Sequence, residues 1–115
     1  MNKIGIVLTT HYDNREKIYN ALKSIINNTK NYNKTIIVFD NEGIKEKRDY
    51  LLSSFPEIKY FHIENQEKQG GLTYTWNEGC RLCLKDNCET IILLNHDIEC
   101  NDTLHFLIDA SLNKE

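Results

Sequence analysis

Four runs of apolar and β-branched residues recur along the chain, separated by segments with helical spacing. The runs are Ile4–Thr9, Thr35–Phe39, Ile58–Ile63 and Thr90–Leu94. The first, second and fourth runs are almost continuously apolar, which is typical of strands buried on both faces of a parallel sheet. The third run mixes polar and apolar residues, which predicts a strand at the edge of the sheet.

The segments between the runs carry apolar residues three and four positions apart, the spacing of one helix face. The first helix is marked by Ile18, Ala21, Leu22, Ile25 and Ile26, the second by Ile44, Arg48, Leu51, Leu52 and Phe55, the third by Trp76, Gly79, Cys80, Cys83 and Leu84, and the fourth by Leu104, Leu107, Ile108 and Ser111. Asp13 and Glu16 fit a capping box at the start of the first helix, and Pro56 ends the second. We interpret the charged residues of the second helix as a solvated face; they are Lys45, Glu46, Lys47 and Asp49.

This alternation predicts one α/β domain over residues 1–115, with three α/β/α layers, a mainly parallel sheet and strand order 3-2-1-4. A chain of 115 residues suffices for one such domain and is too short for two. In open sheets of this type, ligands bind beyond the carboxyl ends of the strands, where the strand order reverses. We therefore expect the functional site at residues 9–14, 40–43, 66–71 and 95–99.

Charge and composition exclude several classes of function. The net charge is −3 and the basic residues are scattered among acids, so the basic face that nucleic-acid binding requires is missing. The longest apolar run has the length of a strand, which predicts no membrane span. The first residues lack the length and cleavage site of a signal sequence, and we predict a cytoplasmic protein.

The four cysteines raise the possibility of a zinc or redox site, because Cys80 and Cys83 form a Cys-x-x-Cys pair. A zinc ribbon needs a second closely spaced pair, and Cys88 and Cys100 do not form one. Cys80 and Cys83 also lie on the apolar stripe of the third helix, where thiols serve as small hydrophobic side chains. We predict that these two cysteines are packed thiols.

Polar residues follow every predicted strand. They are Thr9-Thr10-His11-Tyr12-Asp13-Asn14, Asp40-Asn41-Glu42-Gly43, Lys68-Gln69-Gly70-Gly71 and Asn95-His96-Asp97. Each group alone could be a cap, a turn or an exposed loop. Together they suit a phosphate at a glycine-rich helix start and a divalent cation on a carboxylate. The Gly-x-Gly-x-x-Gly pattern of a dinucleotide fold is absent after the first strand.

Four blocks resemble the front half of family 2 glycosyltransferases, which have the A-type, Rossmann-like nucleotide-sugar-binding fold. The opening strand with Thr10 to Arg15 resembles the Thr-Tyr-Asn-Arg turn, and Ile36 to Gly43 resembles the strand ending in Asp-Asn/Asp-Gly-Ser. Gly70-Gly71 through Gly79 resembles the Gly-rich segment followed by Asn-x-Gly, and Ile92 to Ile98 resembles the strand that runs into Asp-x-Asp.

The resemblance implies that a nucleoside-diphosphate sugar binds through Mn²⁺ or Mg²⁺ for inverting transfer to an acceptor, which could be a glycan, a lipid or a protein. Asp97 would hold the metal. The implied nucleotide-binding residues are Thr10, Tyr12, Asp40, Gly70, Gly71, Asn77 and Asn95. Asn95 stands where the family has an acid, and family members are longer, with the catalytic base beyond the metal motif. We therefore expect weak, metal-dependent nucleotide binding without sugar transfer, and we assign no catalytic residue.

Two other functions remain open from the sequence. The chain could be a non-catalytic nucleotide-binding or interaction domain that keeps the fold, because fold alone does not fix function. It could also be a nucleotidyltransferase, which shares this sheet and metal chemistry. A nucleotidyltransferase is expected to carry a basic, Gly-rich loop after the first strand, whereas this chain has Thr10-His11-Tyr12 there.

Overall fold

The computed structural model describes residues 3–10, 15–40, 44–62 and 71–95, which form four strands and three helices. The elements are β1 (Lys3–Thr10), α1 (Arg15–Asn27), β2 (Asn33–Asp40), α2 (Lys45–Ser54), β3 (Lys59–His62), α3 (Gly71–Lys85) and β4 (Thr90–Asn95). Each of the four predicted strands and the first three predicted helices is therefore present. The predicted fourth helix, from Leu104, and Asp13 of the capping box lie outside the described residues.

The strands form one parallel sheet in the order β3-β2-β1-β4, which confirms the predicted topology. β1 lies in the middle, so its residues Ile4 to Thr10 are all buried. β3 is an edge strand, as its mixed sequence predicted, and three of its four residues are exposed. Because all strands run the same way, their carboxyl ends meet at one edge of the sheet.

Helices α1 and α2 cover one face of the sheet. The residues buried in α1 are Ile18, Ala21, Leu22 and Ile25, which confirms the predicted face. They pack on alternate strand residues such as Ile6 and Val38. The buried residues of α2 are Lys47 and Leu51, whereas Arg48 is exposed. Our interpretation of Lys47 as part of a solvated face was therefore wrong, because α2 turns that side chain towards the sheet.

Helix α3 covers the opposite face, which completes the three α/β/α layers. Cys83 is buried there with Val7, Ile37 and Phe39, and Cys88 follows the helix in the same cluster. Burial is the main reason that the pKa of the Cys83 thiol is raised to about 12, so this thiol stays protonated at neutral pH. The burial of Cys83 among apolar side chains supports the packed-thiol interpretation for this residue, whereas Cys80 is only partly buried.

Helix α3 differs from the sequence-based prediction at Leu84, and it ends in a well-defined turn. Leu84, placed on the apolar stripe, is 64% exposed because the helix buries Cys83 instead. The helix ends where Asn87 adopts a left-handed conformation with φ 65°. Cys88 N–H then donates to the Cys83 carbonyl and Asn87 N–H to the Leu84 carbonyl, which is the Schellman arrangement.

Two glycines allow α3 and its C-terminal turn to lie close to β1. A Cβ atom at Gly79 would lie 2.6 Å from Val7 Cγ1, and one at Gly5 would lie 2.4 Å from Cys83 Sγ. Both distances are far below van der Waals contact, so any side chain at either position would push the helix away from the central strand. Gly79 belongs to the Asn-x-Gly segment that resembles the family pattern, and it also allows close packing of α3 on β1.

None of α1, α2 and α3, the helices of the described part of the chain, is both long and apolar enough to cross a membrane.

At the amino edge of the sheet, Asp86 ties the turn after α3 to the strands. Its Oδ2 atom accepts hydrogen bonds from the Thr35 hydroxyl and from Lys3 Nζ, the latter at 3.0 Å, and Lys59 Nζ lies 3.7 Å away. These contacts lower the pKa of Asp86 to about 2. The hydrogen bond from Thr35 is the largest cause, and the hydrogen bond from Lys3 is the second largest. The carboxylate therefore joins β1 and β2 to α3, with Lys59 of β3 nearby.

This contact predicts a specific dependence of stability on pH. A carboxyl group whose pKa is lower in the folded state than in the unfolded state stabilises the fold above its unfolded pKa, and the contribution disappears as pH falls through the folded value. We expect the parent chain to lose stability between about pH 4 and pH 2, and Asp86→Asn to lose less over that interval. Urea unfolding at a series of pH values measures the difference.

The control is Asp49→Asn, which removes the same charge from a position 54% exposed in weak surface pairs with Lys45 and Arg48. Surface pairs of this kind contribute little, so this variant should follow the parent curve. If Asp86→Asn and Asp49→Asn show the same slope from pH 4 to pH 2, the proposed role of Asp86 is wrong.

Candidate functional site at the carboxyl edge

The parallel register places the ends of β1 and β2 side by side. Thr10 is paired with Asp40, and each residue is 1% exposed. The Thr10 hydroxyl lies within hydrogen-bonding distance of Asp40 Oδ1, at 3.4 Å, and of the Phe39 carbonyl, at 3.5 Å. Two residues predicted from the sequence for the nucleotide site are therefore neighbours at the edge where parallel sheets bind ligands.

A buried lysine also reaches Asp40. Lys47 Nζ lies 2.8 Å from Asp40 Oδ1, and both side chains are fully buried. Lys47 sits one helical turn before Leu51 on the face of α2 that packs on the sheet, so its stem takes an apolar position and its ammonium group meets the end of β2. The pair is charge-assisted and hydrogen-bonded, which is the condition under which charges are tolerated in a protein interior.

Tyr60 of β3 supplies a further donor. Its hydroxyl donates to Asp40 Oδ2 at 2.7 Å. The backbone of Tyr60 is paired with Val38, and its ring packs on the apolar cluster beneath α1 and α2. Asp40 therefore receives side-chain hydrogen bonds from β1, α2 and β3, which fix the plane of its carboxylate. With Lys47 already beside it, this carboxylate is poorly suited to bind a metal cation.

A cavity of about 240 Å³ opens beside this network, between the start of α2 and the ends of β2 and β3. Its lining residues are Asp40, Ile44, Lys45, Arg48, Tyr60 and His62. The charge of Asp40 is balanced by Lys47, so the two cations of the wall, Lys45 and Arg48, give it an excess of positive charge. Asp49 lies 3.7 Å from each of these two cations and offsets part of that charge. The cavity borders one carboxylate, which is fully buried and already accepts hydrogen bonds from Lys47 and Tyr60.

The remaining predicted site residues are only partly described. Gly71 is the first residue of α3, and Asn95 is the last residue of β4, where its backbone is paired with Thr9. Asn77 is exposed on α3 and does not line the cavity. Tyr12, Gly70 and Asp97 lie outside the described residues. Within residues 3–10, 15–40, 44–62 and 71–95, no three His, Cys, Asp or Glu side chains gather as a metal site would require.

Sequence reasoning missed Lys47 and Tyr60, whose donor atoms lie 2.8 Å and 2.7 Å from the Asp40 carboxylate. A signal for Lys47 was available, because it lies three residues after Ile44 and four before Leu51, which is the spacing of a single helix face. A lysine on an apolar stripe suggests a buried partner. No comparable signal marked Tyr60, since its partner is known only once β3 is placed beside β2.

Comparison with known proteins agrees with this architecture. The profile described as "Glycosyl transferase family 2" matches residues 6–110. The galactosyltransferase LgtC, solved with donor and acceptor sugar analogs, superposes with a TM-score of 0.62 at 19% identity, over 90% of this chain and 42% of LgtC. The mannosyltransferase Ktr4p from S. cerevisiae superposes with a TM-score of 0.51 at 14% identity, over 91% of this chain and 36% of Ktr4p. A search of curated proteins gives no match.

At these identities the two structures establish the shared fold alone, and the chain spans less than half of each of them. The family profile covers nearly the whole chain. The matched residues form the sheet whose strand order was predicted from the sequence. The chain belongs to glycosyl transferase family 2.

Proposed function

We propose that this chain binds a nucleoside-diphosphate sugar through a divalent cation, as the nucleotide-binding part of a glycosyltransferase that transfers with inversion to an unidentified acceptor. The observation that supports this most is the buried contact between Thr10 and Asp40 beside a cavity at the carboxyl edge. In a member of this family, that edge is where the nucleotide is expected. LgtC, which shares the fold, was solved with a donor analog.

The cavity is the proposed site of the nucleoside. Its volume of about 240 Å³ is below the roughly 300–1,000 Å³ that encloses a drug-sized ligand, so it suits one end of a nucleotide sugar rather than the whole molecule. Asp40 would accept a hydrogen bond from the base, with Thr10 and Tyr12 bordering the nucleoside. The hydrogen bonds from the Tyr60 hydroxyl, at 2.7 Å, and from Lys47 Nζ, at 2.8 Å, hold the Asp40 carboxylate in position for that contact.

The diphosphate is proposed to lie along the same edge, towards β4. Gly71 starts the 15-residue helix α3, whose first backbone N–H groups lack intrahelical partners and favour a phosphate, and Gly70 precedes it. Asn95 ends β4 next to Thr9, so the segment that leads to Asp97 begins at this edge. Asn77 is exposed on α3 and outside the cavity wall, so its proposed place is beside the diphosphate rather than the nucleoside.

The oxygen donors of this segment fit a hard cation. The amide of Asn95 and the carboxylate of Asp97 are the ligand types that Mg²⁺ and Mn²⁺ prefer, and each cation would fill its other positions with phosphate oxygens and water. A bound cation would neutralise charge on the leaving diphosphate. Asp97 is the proposed metal ligand, whereas Asp40 is engaged by Lys47 and serves the base.

Calorimetry with UDP, GDP and dTDP, with and without Mn²⁺, tests the proposal. We expect at least one nucleotide to bind, and we expect Mn²⁺ to tighten that binding. Asp97→Ala should remove the metal-dependent part, a loss of roughly ten- to a hundredfold in affinity, because a charge-assisted contact to the metal is worth about 1.5–3 kcal/mol.

The matched control is Glu57→Ala, which removes the same charge from an exposed residue just before β3, at the other edge of the sheet. Its affinity should equal that of the parent chain with and without Mn²⁺. The metal assignment is wrong if Asp97→Ala keeps the full response to Mn²⁺. The proposed function is wrong if the parent chain binds none of the three nucleotides under either condition.

A further inference from the structure

Two thiols meet at the turn that ends α3. Cys83 is fully buried and Cys88 is 6% exposed, and both are free cysteines. A Cβ atom placed on Gly5 would lie 2.4 Å from Cys83 Sγ and 3.2 Å from Cys88 Sγ, so both sulfur atoms converge on one point of the central strand. A side-chain hydrogen bond also joins the two cysteines. The two sulfur atoms are therefore direct neighbours.

The backbone of the turn holds these two residues at a separation that suits a disulfide. The Cys88 N–H donates to the Cys83 carbonyl oxygen at an N···O distance of 3.0 Å. Standard bond lengths then keep the two Cα atoms within about 7 Å of each other, and a disulfide needs about 4.4–6.8 Å. The left-handed conformation of Asn87, with φ 65°, closes the turn. The turn thus brings the two cysteines into disulfide range before any bond between the sulfur atoms forms.

Cys80, which also lies on α3, is a poorer partner for Cys83. The two residues are three positions apart inside the helix, where Cβ atoms lie about 5–6 Å from each other. A disulfide needs a Cβ separation of about 3.5–4.5 Å, so a bond between these two cysteines would distort the helix. Cys88 follows the helix and is free of its repeat. The geometry therefore favours Cys88 as the partner.

We propose that Cys83 and Cys88 are a modification site that forms a reversible disulfide when the chain meets an oxidant of the disulfide class, such as oxidised glutathione. The bond links the end of α3 to the residues that lead into β4. In the reduced state, Cys83 is the packed thiol described above. This inference does not rest on the proposed function, because both cysteines lie away from the carboxyl edge of the sheet.

The disulfide forms by two exchange steps. Cys88, the more exposed of the two cysteines, attacks as a thiolate on one sulfur of the oxidant, which breaks the disulfide of the oxidant and releases its first thiolate. Cys83 then loses its proton and attacks the Cys88 sulfur of the mixed disulfide, which releases the second thiolate. Both cysteines are oxidised, the oxidant is reduced to two thiols, and solvent carries the two protons from the cysteines to the released thiolates. Burial, the largest of several causes, raises the pKa of Cys83 to about 12, so the second step is the slow one.

Equilibration of the 115-residue chain in buffers of reduced and oxidised glutathione, with and without concentrated urea, tests the proposal. The equilibrium constant for disulfide formation should be roughly tenfold larger or more in the folded chain than in the unfolded chain, because the fold already holds the two sulfur atoms together. By the same linkage, oxidation should raise the urea midpoint, and dithiothreitol should restore the midpoint of the reduced chain.

Peptide mapping identifies the bonded pair. Trypsin cleaves after Arg81 and Lys85 and therefore separates the two proposed partners, and further cleavage after Glu89 separates Cys88 from Cys100. The mapped bond should join the segment between the two tryptic sites to the segment that ends at Glu89.

Serine variants provide the matched controls. Cys80→Ser and Cys100→Ser should keep the equilibrium constant within threefold of the parent value, whereas Cys88→Ser should form no disulfide with Cys83. The proposal is overturned if Cys80 or Cys100 proves to be the partner of Cys83, or if the folded chain forms the bond no more readily than the unfolded chain. If Cys88→Ser does not fold, peptide mapping of the unaltered chain still decides the pairing.

Discussion

Replacement of Lys47 by methionine is expected to lower the free energy of unfolding by about 3–5 kcal/mol, the typical effect of removing one partner of a buried ion pair. Lys47 and Asp40 are both fully buried and 2.8 Å apart. Methionine keeps most of the apolar stem but leaves the Asp40 carboxylate in the interior without its cation. Because small domains are stable by only about 5–15 kcal/mol, the urea midpoint should fall markedly.

Two further variants separate the ion pair from the loss of a lysine. Lys45→Met changes a neighbouring side chain that is 76% exposed, so it should alter stability by no more than about 0.5 kcal/mol. Lys47→Met combined with Asp40→Asn should cost clearly less than the sum of the two single changes, because the double variant leaves no unpaired charge. A loss below about 1 kcal/mol for Lys47→Met would show that the pair contributes little to stability.

The second large effect is expected at Gly5 in the central strand. Alanine is normally the better residue inside a strand, yet Gly5→Ala should lower the free energy of unfolding by about 1–3 kcal/mol through overpacking. The added Cβ would lie 2.4 Å from Cys83 Sγ and 3.2 Å from Cys88 Sγ. β1 cannot move away, since it is bonded to β2 and β4 on its two sides. Thermal and urea unfolding measure the loss.

Cys83→Ala provides the matched test of that contact. It removes the sulfur atom that the new methyl group would meet, although Cys83 Cβ, at 2.9 Å, still limits the space. The Gly5→Ala, Cys83→Ala double variant should therefore be more stable than the sum of the two single effects predicts. Strict additivity would mean that the two residues do not clash and would contradict the packing described here.

The fold followed from the sequence because its signals are local and strong. Three continuous apolar runs identified the buried strands, and the mixed sequence around Tyr60 and His62 identified the edge strand. The spacing of Ile18, Leu22 and Ile25 fixed the buried face of α1. For α2 the face was misjudged, because Lys47 was taken with its charged neighbours. The spacing of Lys47 from Ile44 and Leu51 indicated the buried face, but its partner at the end of β2 lies in another element and is not indicated by any local pattern.

The proximity of two residues of the candidate site was predictable for a related reason. Once β1 and β2 are parallel neighbours, residues at their ends must meet, so the proximity of Thr10 and Asp40 follows from topology. The identity of the hydrogen-bond donors around Asp40 does not follow in this way. It depends on the rotation of α2 about its axis and on the register of β3, which together bring Lys47 and Tyr60 within 3 Å of one carboxylate. Such details are set by tertiary packing rather than by residue type.

The central place of β1 has a consequence for how the protein folds. Ile4 pairs with Lys34 of β2 and with Thr90 of β4, a sequence separation roughly three times larger in the second case. Closing the longer loop costs about 1 kcal/mol more in chain entropy, so the β1-α1-β2 unit is expected to form first and β4 to dock late. Asn95 and the segment that leads to Asp97 therefore join the folding chain after Thr10 and Asp40 have met. The proposed base contact is assembled early and the proposed metal contact last.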